Sequence, residues 1–381
     1  MKKPNIILFI ILGFLLKIFS FFKGQKIIKK TVIKGPAITL SNHTSFYDFI
    51  YTTSAIYPKR MTYLAASKMF YEKGLSFFLK LARAIPKSLM QADPGATRKA
   101  LTILKQKGIV SIFPEGQISP SGRTLIPSYA ISKLIKKANV DVYIVKHQGA
   151  GIVNPPWTKK TFKGKIETQV YKLFSIEDVQ SLSVMHIYQT IQEALYASQT
   201  EFVRSSPLTY HINDIRGLEN VIYQCPSCLH EGLMGHNKHI TCPSCGFTLN
   251  VDSKMLLNNK GIDEWFYEQA KRLADTIDHD ENFLLTTNVN VHSFRNQLLT
   301  YVGEGVLTLD KEKYYFEGNI DQNPVSYTFL VKNIPTLPSD IGRNIQIYEH
   351  NQIYQFEMDI PYLPTKFVHA AEYLHEKKSE V

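Results

Sequence analysis

Four cysteines are the whole complement of this 381-residue chain, and all four lie between positions 225 and 245. Disulfides therefore staple none of the remainder, which must rest on an ordinary packed core. Acidic residues are also scarce: 33 Asp and Glu stand against 44 Lys and Arg, a net charge of +11. That balance suits an anionic partner, either nucleic acid or a membrane surface. A dense basic and aromatic stripe is missing, and the basic excess is spread along the chain, which argues against nucleic acid. No Gly-rich phosphate loop, internal repeat or low-complexity tract occurs. The length allows two or three domains.

Long apolar runs are equally rare. Ile6 to Phe22 is apolar except for Gly13, Lys17 and Ser20. No small-residue cleavage site follows it, so a removed signal peptide is not expected. The run is near the lower limit for crossing a bilayer, and Lys17 weakens a simple span. Lysines flank it at positions 2, 3, 23, 26, 29 and 30. Residues 1–24 are expected to anchor the chain as an N-terminal membrane helix that lies in one leaflet, re-enters or spans once. The larger number of lysines after the run places the following domain on the cytoplasmic face of the cell membrane if it spans.

The cysteines form two pairs, Cys225-Pro-Ser-Cys228 and Cys242-Pro-Ser-Cys245, with thirteen residues between them. Two such knuckles supply four thiolates for a tetrahedral Zn²⁺, the pattern of a zinc ribbon over residues 215–250. Disulfides or an iron–sulfur site use the same residue type. His230, His236 and His239 lie between the knuckles and read as loop residues, because four sulfurs already fill the coordination sphere.

A short apolar run, Pro36 to Leu40, leads to Asn42-His43-Thr44-Ser45-Phe46-Tyr47-Asp48. A histidine titrates near neutral pH and suits general-base work; a nearby carboxylate fixes its tautomer and stabilises the imidazolium. On one continuous helix His43 and Asp48 would point apart, so a strand-to-helix turn between them is needed. Ser45 and Asp48 have the spacing of a capping box, which predicts a helix with Ser45 as its cap. A second apolar run, Ile109 to Ile112, ends in Phe113-Pro114-Glu115-Gly116, where Gly116 permits a positive φ.

This combination resembles the glycerolipid acyltransferase family, whose best-known members are the 1-acylglycerol-3-phosphate acyltransferases, over about residues 30–200. The resemblance implies transfer of a fatty acyl group from a thioester, acyl-CoA or acyl carrier protein, to a hydroxyl. His43 and Asp48 are then the catalytic pair, and Glu115 with Gly116 helps to hold the acceptor and shape the site. Lys87 falls where the family has a basic residue, usually arginine, that meets the acceptor phosphate. Ile118 stands where many members carry another arginine, and Arg123 is the nearest replacement. The acceptor expected from the resemblance is 1-acylglycerol 3-phosphate, giving phosphatidic acid for phospholipid synthesis. The altered basic positions keep another lysophospholipid, a glycolipid or a polyol open. A non-enzymatic zinc-ribbon protein that binds nucleic acid is the reading from another class.

Alternating strands and helices argue an α/β sandwich for an acyltransferase domain at 25–205. Strands are predicted at Lys34–Leu40, Met61–Ala66, Gly108–Phe113 and Asp141–Lys146, and the resemblance implies a further strand ending at Ile85–Lys87. Helices are predicted at Phe46–Ile56, Gly74–Ala84, Ala96–Lys107, Tyr129–Lys137 and Ile187–Ala197. Beyond the ribbon, residues 255–381 read as an α+β module: a helix from Glu264 to Ile277, short strands from Gly305 onward and a helix from Thr365 to Lys378. A strand-rich roll closed by one helix resembles a pleckstrin-homology-like module.

Overall fold

The structure is a computed structural model that describes residues 2–72, 74–88, 93–296, 298–349 and 352–379. It is a mixed α/β protein that divides into two compact units, residues 1–213 with 252–255, and residues 214–251 with 256–381.

The first unit runs α1 (Ile6–Phe22), β1 (Gln25–Lys30), β2 (Ala37–Ser41), α2 (Asp48–Ile56), β3 (Met61–Ala66), α3 (Leu75–Leu81), β4 (Ile85–Lys87), α4 (Pro94–Lys105) and β5 (Ile109–Ile112). It continues α5 (Ala130–Ala138), β6 (Asp141–Gln148), α6 (Ala150–Val153), β7 (Ile166–Phe174), α7 (Ile176–Ser181), α8 (Val184–Leu195) and α9 (Gln199–Ser205). Its sheet has the order β1-β7-β6-β2-β5-β3-β4. Strands β6, β2, β5, β3 and β4 are mutually parallel, and β7 runs antiparallel to β6.

Period-two alternation gives each central strand two buried faces. Ile38, Leu40, Val110, Ile112 and Val142 pack on one side with Ile103 of α4, Ile135 of α5 and Ile187 of α8. Ala37, Ile109, Tyr143 and Val145 pack on the other with Ala55 and Ile56 of α2. Local chemistry sets the helix ends: Asp93 caps α4 through Ala96 N–H at 2.8 Å, with Pro94 at the first helical position. Strands β1 and β7, which complete the sheet on one side, were not recognised in the sequence.

Of the three dispositions expected of residues 1–24, the single span is the one that α1 does not fit. Its 17 residues reach about 26 Å at 1.5 Å per residue, short of a hydrocarbon core of about 30 Å. Among the described residues no helix is long and apolar enough to cross a membrane. Instead α1 packs one side against α2. Gly13 lies beneath the Tyr57 ring, where a Cβ would come within 2.8 Å of it, and Ser20 Oγ donates to Ser54 Oγ at 2.7 Å. Ile7, Ile11, Phe14, Leu15, Phe21 and Phe22 remain exposed on the other side.

The second unit contains a small sheet of β8 (Met234–Gly235), β9 (His239–Thr241) and β10 (Thr248–Asn250), then α10 (Ile262–His279). There follow β11 (Leu285–Arg295), β12 (Leu298–Leu309), β13 (Lys313–Ile320), β14 (Asn323–Leu330), β15 (Ser339–Asp340), β16 (Asn344–Glu349), β17 (Gln352–Met358) and α11 (Leu363–Ser379). These strands form an antiparallel sheet of order β14-β13-β12-β11-β17-β16-β15. Leu307, Phe316 and Phe356 of the sheet share a core with Leu273 and Ile277 of α10 and Phe367 and Leu374 of α11. Tyr223, just before the first cysteine, stacks on Tyr362 at 5.5 Å, and its N–H donates to Gln269 Oε1 at 3.0 Å. These contacts join the cysteine segment to α10 and to the residue just before α11.

Candidate active site and metal centre

Strand β2 ends at Ser41 and the chain turns out of the sheet at His43. Helix α2 begins at Asp48 rather than at Phe46, and its N-cap is Tyr47, without a side-chain capping bond. Ser45 is therefore not the cap. Its hydroxyl accepts the Tyr47 N–H at 3.2 Å in a local turn that delays the helix. Half of the expected box survives: Asp48 Oδ2 accepts the N–H groups of Thr44 at 2.7 Å and Ser45 at 2.8 Å.

The same oxygen faces His43 Nδ1 at 3.1 Å. A carboxylate can only accept, so this contact places the proton of the neutral imidazole on Nδ1 and leaves Nε2 as the basic atom. Asp48 is fully buried, whereas the His43 side chain is 18% exposed. The ring stacks on Phe113 at 4.4 Å, and Phe113 stacks in turn near Tyr63 at 6.2 Å. Tyr63 is anchored by its hydroxyl to Thr53 Oγ1 at 2.9 Å. The imidazole is thus held at one edge by a carboxylate and on one face by an aromatic stack.

Glu115 follows β5, the strand beside β2, so the topology brings it to the same end of the sheet. Its Oε1 accepts the His43 N–H at 2.6 Å and its Oε2 the Leu125 N–H at 2.8 Å. Burial pushes its carboxyl well above the ordinary range, opposed by those two N–H donors. Glu115 thus ties together two loops. Gly116 has φ +76° and makes the turn that follows.

Lys87 ends β4, separated from β2 by β5 and β3, roughly 14 Å across at about 4.8 Å per strand. Its Nζ donates to Ser88 O at 3.0 Å, and burial lowers its pKa against the raising effect of Asp93. Arg123 is half-buried in the loop after Glu115; its carbonyl accepts from Ser119 Oγ at 2.5 Å, and Ser119 N–H reaches back to His43 O at 2.8 Å. The topology therefore gathers His43, Asp48 and Glu115 in direct contact and puts Lys87 at the same sheet end, some strands away. Phe113, Asn42 and Ser119 were not singled out in the sequence. The first two sit inside the quoted motifs, but only long-range contacts reveal their work.

The four thiols of Cys225, Cys228, Cys242 and Cys245 carry no disulfide and lie within 4.8 Å of one another. Cys225 and Cys245 sulfurs are 3.7 Å apart, and those of Cys228 and Cys242 3.6 Å. Sulfurs about 2.3 Å from a tetrahedral Zn²⁺ are spaced about 3.8 Å, so this donor set fits that ion.

Residues 21–147 match the Acyltransferase family model. The 1-acyl-sn-glycerol-3-phosphate acyltransferase of Bacillus subtilis (strain 168) is 28% identical over 101 residues, 26% of this chain and 51% of that protein. The chain thus spans about half the length of the curated relative it matches. The crystal structure of the 1-acyl-sn-glycerophosphate (LPA) acyltransferase PlsC from Thermotoga maritima overlays with a TM-score of 0.40 at 17% identity, covering 51% of this chain and 81% of that one. By the family model, residues 21–147 of the first unit carry an acyltransferase domain.

Proposed function

We propose that the protein is an O-acyltransferase that moves a fatty acyl group from an acyl thioester, coenzyme A or acyl carrier protein, to the free hydroxyl of 1-acylglycerol 3-phosphate. The observation that carries this reading is the His43–Asp48 pair at 3.1 Å, in the segment that matches the family. In the reaction His43 Nε2 takes the proton of the attacking hydroxyl, and the oxygen attacks the thioester carbonyl. The new C–O bond forms as the C–S bond breaks, and the imidazolium returns the proton to the departing thiolate. Asp48 holds the imidazole and balances its transient charge. Lys87 and Arg123 are the cations we assign to the acceptor phosphate, Lys87 as a point charge.

The exposed apolar side of α1 is read as lying in one leaflet of the cell membrane, on its cytoplasmic face, beside a basic chain. Cys225, Cys228, Cys242 and Cys245 would hold a structural Zn²⁺. The C-terminal sheet is read as pleckstrin-homology-like on its four-strand meander, its three strands returning to pair beside the first, and its closing helix. The test is to incubate the purified chain in detergent with acyl-CoA and a panel of lysolipids and weigh the products. Phosphatidic acid as the main product supports the reading. A different acylated product redirects it to another acceptor, and none with any acceptor overturns it.

A further inference from the structure

The His43 turn is held from beneath by one short piece of chain, residues 147–154 at the end of β6 and in α6. The first contact is through Asn42. Its Nδ2 donates to His147 O at 2.9 Å and its Oδ1 accepts from His147 N at 2.8 Å. The β2–β6 ladder ends at Ser41 and Val145. In a parallel pair, the next two main-chain bonds would have gone to residue 147. The Asn42 amide makes those two bonds instead, which frees the main chain to leave the sheet at His43.

The second contact is on the other side of His43. A Cβ at Gly151 would lie 2.6 Å from the carbonyl oxygen of Thr44. That carbonyl shares a peptide plane with the Ser45 N–H, which donates to Asp48 Oδ2. The third contact is to the helix that carries Asp48. His147 is fully buried, with Nε2 2.9 Å from Thr52 Oγ1 of α2 and Nδ1 3.0 Å from Thr168 Oγ1 of β7. Tyr51 of α2 donates to Asn154 Oδ1. Burial keeps the His147 ring neutral, its pKa lowered to about 4.

We propose that residues 147–154 are a positioning cradle that sets the His43–Asp48 geometry, acting through Asn42, Thr44 and Tyr51. Both residues that flank His43, and the helix that carries Asp48, are referenced to this one segment. His147, Gly151 and Asn154 are therefore positioning residues. For its effect on rate, the proposal rests on the general-base assignment of His43.

The test uses the full chain with Gly151→Ala and Asn42→Asp. The added methyl must displace the Thr44 carbonyl, because the other close atom, Gln199 Nε2, ends a flexible side chain. Asn42→Asp keeps the bond from the His147 N–H and sets an oxygen against its carbonyl. Acyl transfer is measured with acyl-CoA and 1-acylglycerol 3-phosphate, with melting temperature as the control. Each variant should lose ~10–100-fold in kcat, KM for both substrates staying within about twofold, because an error near 1 Å is felt in chemistry rather than in binding. A crystal structure of Gly151→Ala should show Nδ1–Oδ2 opened beyond about 3.5 Å.

Unchanged kcat, or a loss that tracks only the folded fraction, together with an unmoved His43–Asp48 pair, overturns the cradle. Should the wild-type chain not transfer acyl groups, or His43→Ala retain full activity, the general-base reading falls. The Nδ1–Oδ2 separation in the Gly151→Ala structure then decides the cradle by itself.

Discussion

The main-chain N–H of His43 donates to Oε1 of Glu115 at 2.6 Å, joining two residues 72 positions apart. The second Glu115 oxygen holds Leu125 N–H. One buried carboxyl therefore sets both the His43 loop and the loop that follows β5. Glu115→Gln keeps the size but turns an NH₂ group toward one of these N–H donors. We expect kcat to fall at least ~10-fold and the melting temperature to drop, since a buried donor left unmatched costs about 1–3 kcal/mol. Wild-type kinetics and melting in this variant would remove Glu115 from the site.

His43→Ala should reduce acyl transfer by ~10²–10⁴-fold with an unchanged melting temperature, the usual cost of losing a general base. Asp48→Asn should also be inactive but less stable. Its Oδ2 accepts the Thr44 and Ser45 N–H groups as well as facing His43, so the substitution touches the turn and the imidazole together. Turnover and thermal melting, measured on both variants, separate the two effects.

The first unit should weaken in mild acid through His147. Its folded pKa is lowered to about 4, against about 6.5 in an unfolded chain. The unfolded chain takes up the proton first as pH falls. The stability His147 contributes is therefore present above about 6.5 and is lost as pH drops toward 4. Thermal melts between pH 7.5 and 4.5 should show this slope, and the slope should flatten in His147→Gln, which does not titrate.

One Zn²⁺ per chain is expected by metal analysis. Cys225→Ser or Cys245→Ser should abolish that stoichiometry and make residues 220–250 protease-sensitive, because a ribbon this small folds largely on its metal. The effect should extend to α10 and α11, which Tyr223 contacts through Gln269 and His369. Acyl transfer should survive in large part, because His43 and Asp48 belong to the other unit. Iron in place of zinc would overturn the metal assignment.

Membrane association is best tested without removing α1, because its Gly13 and Ser20 side covers α2. Ile7→Glu, Phe14→Glu and Phe22→Glu together charge only exposed positions. The triple variant should stop sedimenting with anionic vesicles while melting as the wild type does. Continued sedimentation after a high-salt wash would move the anchor elsewhere in the chain.

Much of the candidate site was legible because its signals are local. His43 and Asp48 lie five residues apart, and each cysteine pair spans four, so spacing alone limits what such residues can do together. The apolar runs at β2 and β5 were equally plain, since strands buried on both faces read as continuous hydrophobic stretches. Strand β11 was missed for the opposite reason. Asn288 and Asn290 punctuate it, and it becomes a strand only by pairing with β12 and β17. The same holds for β1, whose Gln25-Lys26-Ile27-Ile28-Lys29-Lys30 is polar at its ends and finds its partner in β7, far along the chain.

From its own order of residues, then, the chain determined the α/β class of the first unit, the candidate base and its carboxylate, and the four clustered sulfurs that could hold a metal. Each depends on short-range spacing or on hydrophobic period, which neighbouring residues carry by themselves. Only the tertiary structure decided that α1 lies against α2, and that Glu115 braces the His43 loop. It also decided that Phe113 backs the imidazole and that the Asn42 amide completes a strand on His147. Those outcomes rest on contacts between residues about 30 to 105 positions apart. Such pairings become favourable only when the whole sheet closes and buries them together, so no local stretch of sequence encodes them.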